Sequence, residues 1–464
     1  MLVAVLVVVM LLSMLVVSLL LRCKAETTAT GASLGTEQAW AAAMSGVEEA
    51  LRVAAAAAPG ATDWQELPAA FRDRLVFDDG AEQWFFSVFS MAGAESLAEF
   101  RHGLTDEASR LNVNTAHTAN LEKLPRLTPA LVAALRDFID PDNDPRPEGA
   151  EQEYYSGLPR PYAIRNGPLA SFDELLLVRG FTPALLRGAT PTRVSGAGEE
   201  PTPAAADVRT DRGLRPLLTV HSYDVNRDDD GIPRTNLNDP NDPLPEIELP
   251  PGLTNFLAVL RANNLALPHA ADLLGASIRV KSEKGVEVEV TAGIGRDELP
   301  AVLNYFTAEN AMILDGLVNV NTASVEVLAA LPGVDESLAE AIVSTRRSIS
   351  PERRTTIAWL FQEGVVDAER FKAIAPALTA RSFQFTFQVV GYGLPSGRFR
   401  VFEVGVDVAA KGRRITYLRD VTRLGVPFPL GATGEPGVAP PVKGSSRAAR
   451  GLPPGWQGKE AGRG

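Results

Sequence analysis

The sequence predicts an α+β protein: a long N-terminal helix packed on an antiparallel sheet, interrupted by a large α-helical insertion with two helix-hairpin-helix units. Three observations predict it. The chain opens on an unbroken apolar run that leads into an amphipathic helical stretch. Asn-Val-Asn-Thr-Ala occurs at 112–116 and again at 319–323, each time opening a helix-hairpin-helix pattern. Strand-like segments precede the first copy and follow the second, so one β-bearing head encloses an insertion of roughly 111–380.

From Leu2 to Leu21 the chain carries no charge and is interrupted only by Ser13 and Ser18. As a helix this run is roughly 30 Å long, the thickness of a bilayer's hydrocarbon core. Its fifteen Leu and Val side chains, at about 0.3–0.6 kcal/mol each, favour insertion by several kcal/mol. The polar stretch after Lys24 contains Gly31 and Gly35 and predicts a soft joint. Beyond it Trp40, Met44, Val47 and Leu51 form one amphipathic stripe, and Pro59-Gly60 ends the helix. Cys23, the single cysteine of 464 residues, excludes an intrachain disulfide framework. Arg22 stands where a lipoprotein signal needs a small residue, so Cys23 reads as a bland boundary thiol.

The head begins with Trp84–Phe89, aromatic and β-branched, a buried strand. A second strand is expected near Leu97–Leu104, with Thr105-Asp106-Glu107 as a turn. Phe383, Phe385 and Phe387 alternate with polar residues, and 400–408 and 414–421 alternate apolar with charged ones, giving three C-terminal strands. Within the insertion, residues 112–135 match 319–342 without a gap. Each copy offers Asn or Thr as a cap, a short helix ending at Leu124-Pro125 or Leu331-Pro332, a three-residue hairpin, and a second helix capped by Thr128 or Asp335. A helical pair follows each copy, at 171–187 and 356–373. Residues 191–216 read as linker, 253–275 as helical, 276–291 as a hairpin turning at Glu283-Lys284-Gly285, and the Gly/Pro tail from Gly431 as disordered.

A net charge of −12 with four His argues against a polyanion partner. The hairpins agree: Gly333-Val334-Asp335 would set a carboxylate against phosphate, and Arg126-Leu127-Thr128 has no glycine. A protein-packing module is the expected role, with a membrane-anchored DNA receptor of the competence type as the alternative. No catalytic constellation is present, since the His at 102, 117, 221 and 269 lack ligand spacing and no nucleophile or phosphate-loop motif occurs. The expectation is therefore a non-enzyme with no catalytic residues.

Two acidic loops stand out. Asp140, Asp142 and Asp144 precede Glu148, Glu151 and Glu153, a concentration of oxygen ligands that suits a hard cation such as Ca²⁺ or a solvated acidic loop. Asn226, Asp228 and Asp230 before Gly231 match the opening of an EF-hand loop. Position twelve of that loop is Leu237, so it is at most half a site, or an Asp/Gly turn.

These pieces resemble the minor pseudopilin subunit K of type II secretion systems, the general secretion pathway protein K. The resemblance rests on the apolar helix, EQAWAAAMSGVEEAL (37–51), LNVNTA (111–116), FIDPDNDPRPEGAEQEYY (138–155), RNGPLASFDELLLVRGFT (165–182) and the second NVNTA block. It implies a pilin-like stem and head with SAM-like helical units, single-pass in the bacterial inner membrane with the head in the periplasm. It also implies a place at the pseudopilus tip beside minor pseudopilins I and J, contact with the major pseudopilin, and no nucleic acid. Bound calcium is implied too, with Asp140, Asp142, Asp144, Glu148 and Glu151 as the first candidate set and Asn226, Asp228 and Asp230 as a weaker second. A prepilin peptidase joins the partners if a basic leader lies upstream of Met1. No Glu occurs before Glu26, which agrees with the family's lack of the acid that pairs neighbouring stems. On this reading 1–21 is the membrane part of the stem and 22–58 its amphipathic part. Residues 59–110 begin the head, 111–190 form the first helical domain with the acidic loop, and 191–316 are linker and family-variable insert. The second helical domain is 317–380, the closing strands are 381–430, and the tail is 431–464.

Overall fold

The computed structural model of the chain describes residues 2–91, 100–188, 212–281, 287–409 and 414–431. Helix α1 (Leu2–Ala56) is continuous over 55 residues, roughly 80 Å at 1.5 Å per residue. No joint forms at Gly31 or Gly35. Thr27, Thr28, Thr30 and Thr36 return their hydroxyls to carbonyls one turn back, which keeps this polar stretch helical. Arg398 of the head donates to the Gly31 carbonyl at 2.7 Å. Below that contact the large apolar side chains from Leu2 to Leu21 are exposed, and the helix is long and apolar enough to cross a membrane.

The upper half of α1 packs on the head through a narrower stripe than its periodicity suggests. Ala39, Ala43, Val47, Ala50, Leu51 and Ala54 are buried, while Trp40 is 45 % exposed. Small residues win because the sheet supplies the bulk, in Phe86, Phe385, Phe387 and Phe402. Where helix and sheet come closest, a Cβ on Gly391 would lie 2.0 Å from the Ala39 carbonyl oxygen. A larger stripe would hold the two layers apart.

The main sheet runs in chain order: β1 (Arg74–Asp78), β2 (Gln83–Met91), β3 (Gln384–Leu394), β4 (Phe399–Asp407) and β5 (Arg414–Asp420), each antiparallel to the next. The whole insertion lies between the neighbours β2 and β3, whose register sets Val88 opposite Val389. Phe86 and Val88 of β2 face the α1 core, whereas Phe85 and Phe89 join Tyr392 and Val401 on the other face. Of the strand expected near 97–104, residues up to 99 lie outside the described part; Phe100–Arg101 pairs with β2. Thr105 and Asp106 are not a turn. They pair with Thr386 and Phe385 of β3, and Asp106 caps the 3₁₀ turn that follows.

The insertion closes one apolar core of its own, from Leu111 to Ala380. Thr128 and Asp335 cap the second helix of each unit, at Pro129–Ile139 and Glu336–Ser348. The first helices, Thr118–Leu121 and Val325–Ala329, start from His117 and Ser324 rather than from the Asn or Thr of the signature. Those asparagines brace the fold instead. Asn114 donates to the carbonyls of Leu169 and Val220, and Asn321 to those of Arg354 and Ala380. At the hairpins Arg126 adopts φ +70, the left-handed conformation that Gly333 adopts at φ +74 in the equivalent position.

Each unit is closed by a short parallel pairing, Leu111-Asn112 with Leu218-Thr219 and Val318-Asn319 with Leu378-Thr379. The closing strands share a second repeat, Pro-x-Leu-Thr-x-x-Ser-aromatic, at 216–223 and 376–383. The end of the expected linker therefore belongs to the fold: Leu214 is fully buried and donates its amide to the Leu185 carbonyl. The rest of that linker, residues 191–211, lies outside the described part, as do the Glu283-Lys284-Gly285 turn and the tail beyond Gly431. Between the units, helix Pro251–Ala262 and the hairpin Ser277–Lys281 with Glu287–Thr291 complete the core.

Candidate metal centre

The second helix of the first unit ends in two carboxylates one turn apart. Asp137 is fully buried and Asp140 is its C-cap residue. The chain then loops outward through 141–148 and returns at Glu151, 4 % exposed, which starts the short helix Gln152–Ser156. One oxygen each of Asp137, Asp140 and Glu151 lies within 4.8 Å of the others.

The return path is built around Asp137. The Arg146 backbone N–H donates to both its oxygens, at 3.3 and 3.1 Å, and Arg146 Nη1 to Oδ1 at 2.7 Å. Glu148 takes φ +65, and Gly149 then passes so close that a Cβ would lie 1.9 Å from Asp137 Oδ2. Tyr155, fully buried against Phe138, accepts from the Arg179 amide, while Arg179 Nη1 holds the Gly149 carbonyl at 3.0 Å. Asn166 holds the outer loop through the Asp142 carbonyl and the Asn143 side chain.

Both Glu151 carboxylate oxygens and Asp140 Oδ1 are buried with no hydrogen-bond partner. Burial raises the Glu151 pKa, and the charges of Asp137 and Asp140 raise it further. Buried, mutually repelling carboxylates are costly unless a cation or donors meet them. The donor set is all oxygen and hard, which fits Ca²⁺; its usual six to eight ligands leave room for loop carbonyls and water.

Of the first candidate set, the fold brings Asp140 and Glu151 together and adds Asp137. Asp142, Asp144 and Glu148 are exposed on the outer loop, and Asp142 Oδ1 is used by the Asp144 amide. Asp137 was missed because it sits inside a helix, before the acidic run begins. Its spacing to Asp140, i to i+3 on one helical face, was the available signal.

In the second candidate loop, Asp228 Oδ1 accepts from the amides of Asp230 and Ile232, an Asp/Gly turn closed at Gly231. Asp230 is exposed, Leu237 is fully buried, and Asn226 donates to the Glu309 and Ala311 carbonyls. Asn226 Oδ1 is buried without a partner, but among the described residues Asp228 and Asp230 do not converge on a shared point with a third acidic or His ligand. His117 and His269 start helical turns, and His221 reaches the Ala170 carbonyl.

Residues 106–193, which contain the whole carboxylate loop, match the family model described as type II secretion system (T2SS), protein K. Residues 315–353 match a helix-hairpin-helix motif. The type II secretion system protein K of Pectobacterium carotovorum subsp. carotovorum is 41 % identical over 61 residues, 13 % of this chain and 19 % of that relative. The match thus spans about a fifth of the relative's length. The crystal structure of the GspK-GspI-GspJ complex from the enterotoxigenic Escherichia coli type 2 secretion system matches over 86 % of this chain and 99 % of that one, at 12 % identity and a TM-score of 0.38. That likeness is too loose to add weight to the two sequence matches. Over residues 106–193 the chain is thus similar to type II secretion system protein K.

Proposed function

We propose that this chain is the K-type minor pseudopilin of a type II secretion system. In this reading it is a non-enzymatic subunit that caps the pseudopilus and starts its assembly with minor pseudopilins I and J, in the service of protein export across the outer membrane. The observation that carries the reading is the pairing of two features in one chain. Helix α1 is apolar and exposed below Arg22 yet docked on an antiparallel sheet above Gly35. The segment matching the protein K family is inserted between two neighbouring strands of that sheet. The first feature is what a subunit needs if it leaves the bilayer and packs its stem among others. The second adds bulk to the head, which suits a tip better than the middle of a filament.

The lower stem would sit in the inner membrane, with head and insertion in the periplasm. Stem, head, first helical domain, variable insert and second helical domain would follow the divisions read from the sequence, except that residues 214–223 close the first helical domain. Calcium held by Asp137, Asp140 and Glu151 would fix the first unit's loop by neutralising it. These three residues bind and orient; nothing in the reading requires them to react.

The helix-hairpin-helix motif also raises the DNA-receptor reading, which the hairpin disfavours. The Val334 amide is turned inward to the Leu331 carbonyl, and Asp335 presents an exposed carboxylate paired with Arg370. A phosphate there would meet like charge.

The test is co-purification of the full chain, in detergent, with tagged I and J subunits of its own system, alongside duplex DNA retention at physiological salt. A stoichiometric complex and no DNA retention support the proposal. DNA retention without complex formation overturns it.

A further inference from the structure

Arg146 fills part of the carboxylate cluster with its own charge. Its Nη1 lies 2.7 Å from Asp137 Oδ1 and bonds Asp140 Oδ2 as well. Three carboxylates facing one guanidinium leave a local charge near −2, and the guanidinium does not satisfy Glu151, whose two oxygens stay unpartnered. The Arg146 side chain is 42 % exposed, so a path to solvent is open. Its backbone N–H is bonded to Asp137 independently of the side chain, so the loop keeps its anchor when the side chain leaves.

We propose that Arg146 is the resident cation of this cluster and that a divalent cation binds by displacing its guanidinium from Asp137 and Asp140. The inference rests on the calcium reading above. A divalent ion sited among the three carboxylates would lie within a few ångströms of the guanidinium, and two cations that close repel strongly in a partly buried site. Arg146 and the metal therefore exclude each other. The apparent affinity of the site is set by this competition, and the metal-free loop stays folded because the guanidinium partly neutralises it. Arg146 acts as a specificity-setting residue: a singly charged ion gains too little to displace it, whereas a divalent one also satisfies Glu151.

The test is calorimetric titration of the full chain in detergent with calcium chloride, on the wild type, Arg146→Gln, Arg146→Lys and Glu151→Gln. Arg146→Gln should bind calcium at least tenfold more tightly than the wild type and melt at a lower temperature than it in chelator. Arg146→Lys, which keeps the charge but loses the planar fork, should fall between them. Equal or weaker calcium binding by Arg146→Gln, with the wild type binding and Glu151→Gln not, overturns the displacement while leaving the metal site standing. No calcium binding by the wild type or any variant removes the calcium reading itself, and the inference with it.

Discussion

Thr322 donates its hydroxyl to Asp106 Oδ2 at 2.6 Å, across 216 residues of sequence. Ser382 and Asn319 converge on the same oxygen at 2.7 and 2.9 Å, and the Ala108 amide holds the other at 2.9 Å. Asp106 belongs to the head's sheet, and the other long-range donors belong to the second helical unit and the strand that closes it. This buried carboxylate is therefore the point where insertion and head are tied together.

Replacing Asp106 with Ala strands four donors, of which Asn319 and the Ala108 amide are buried and Thr322 and Ser382 half-buried. The expected loss is about 3 kcal/mol, read as a lower midpoint in chemical unfolding of the full chain.

Burial pushes the Asp106 carboxyl up to about 6 from 3.8, against the opposing pull of the Thr322, Ser382, Ala108 and Asn319 bonds. A pKa raised on folding means that the native state binds the proton more tightly than the unfolded chain. The stability from this group is present in full below about pH 4 and is lost as pH rises through about 6. Melting temperatures from pH 4 to 7 should show a falling component, on the order of 2–3 kcal/mol in all. Asp106→Asn should remove that component; the same slope in both proteins would mean that another group carries it.

Chelation gives a separate measure of the proposed metal centre. If calcium binds only the folded chain, a hundredfold excess over Kd adds about 2.7 kcal/mol, and chelator should lower the melting temperature accordingly. Asp137→Ala and Glu151→Ala should abolish the calcium effect. Asp142→Ala and Asp144→Ala, on the exposed outer loop, should keep most of it.

At the stem, Gly391→Ala places a methyl 2.0 Å from the Ala39 carbonyl and 2.4 Å from the Ala43 nitrogen. Backbone cannot yield there as a flexible side chain can, so the docked helix should lift, at about 2–3 kcal/mol. Hydrogen exchange should rise over residues 39–54 and stay unchanged in the insertion, which has its own core.

How much of this was legible in the sequence depended on whether a local pattern carried the signal. The repeat at 112–135 and 319–342 exposed both helical units and the Thr128 and Asp335 caps because capping is local chemistry. The five apolar residues around Ser87 marked β2 because a strand buried on both faces has no polar alternation. Edge strand β1 was missed for the opposite reason: Leu75, Val76 and Phe77 are all exposed and show no period. Trp40 misled because size suggested burial, while the depth between helix and sheet selected alanine. Asp137 offered only its i to i+3 spacing to Asp140, because Glu151 and Gly149 reach it only after the loop turns back. The arginines that hold the signature turns, half-buried Arg136 on the Val113 and Ala116 carbonyls and buried Arg346 on Val320 and Ala323, were equally hidden. They sit at different points of the aligned repeat, three residues or about one helical turn apart.

The proposed tip position can be tested directly by gold-labelling the head of this chain on pseudopili assembled in its own secretion system and imaging them by electron microscopy. The account predicts a single label at one end of each filament. Labels along the filament shaft, or filaments of normal number and length with none, would contradict it.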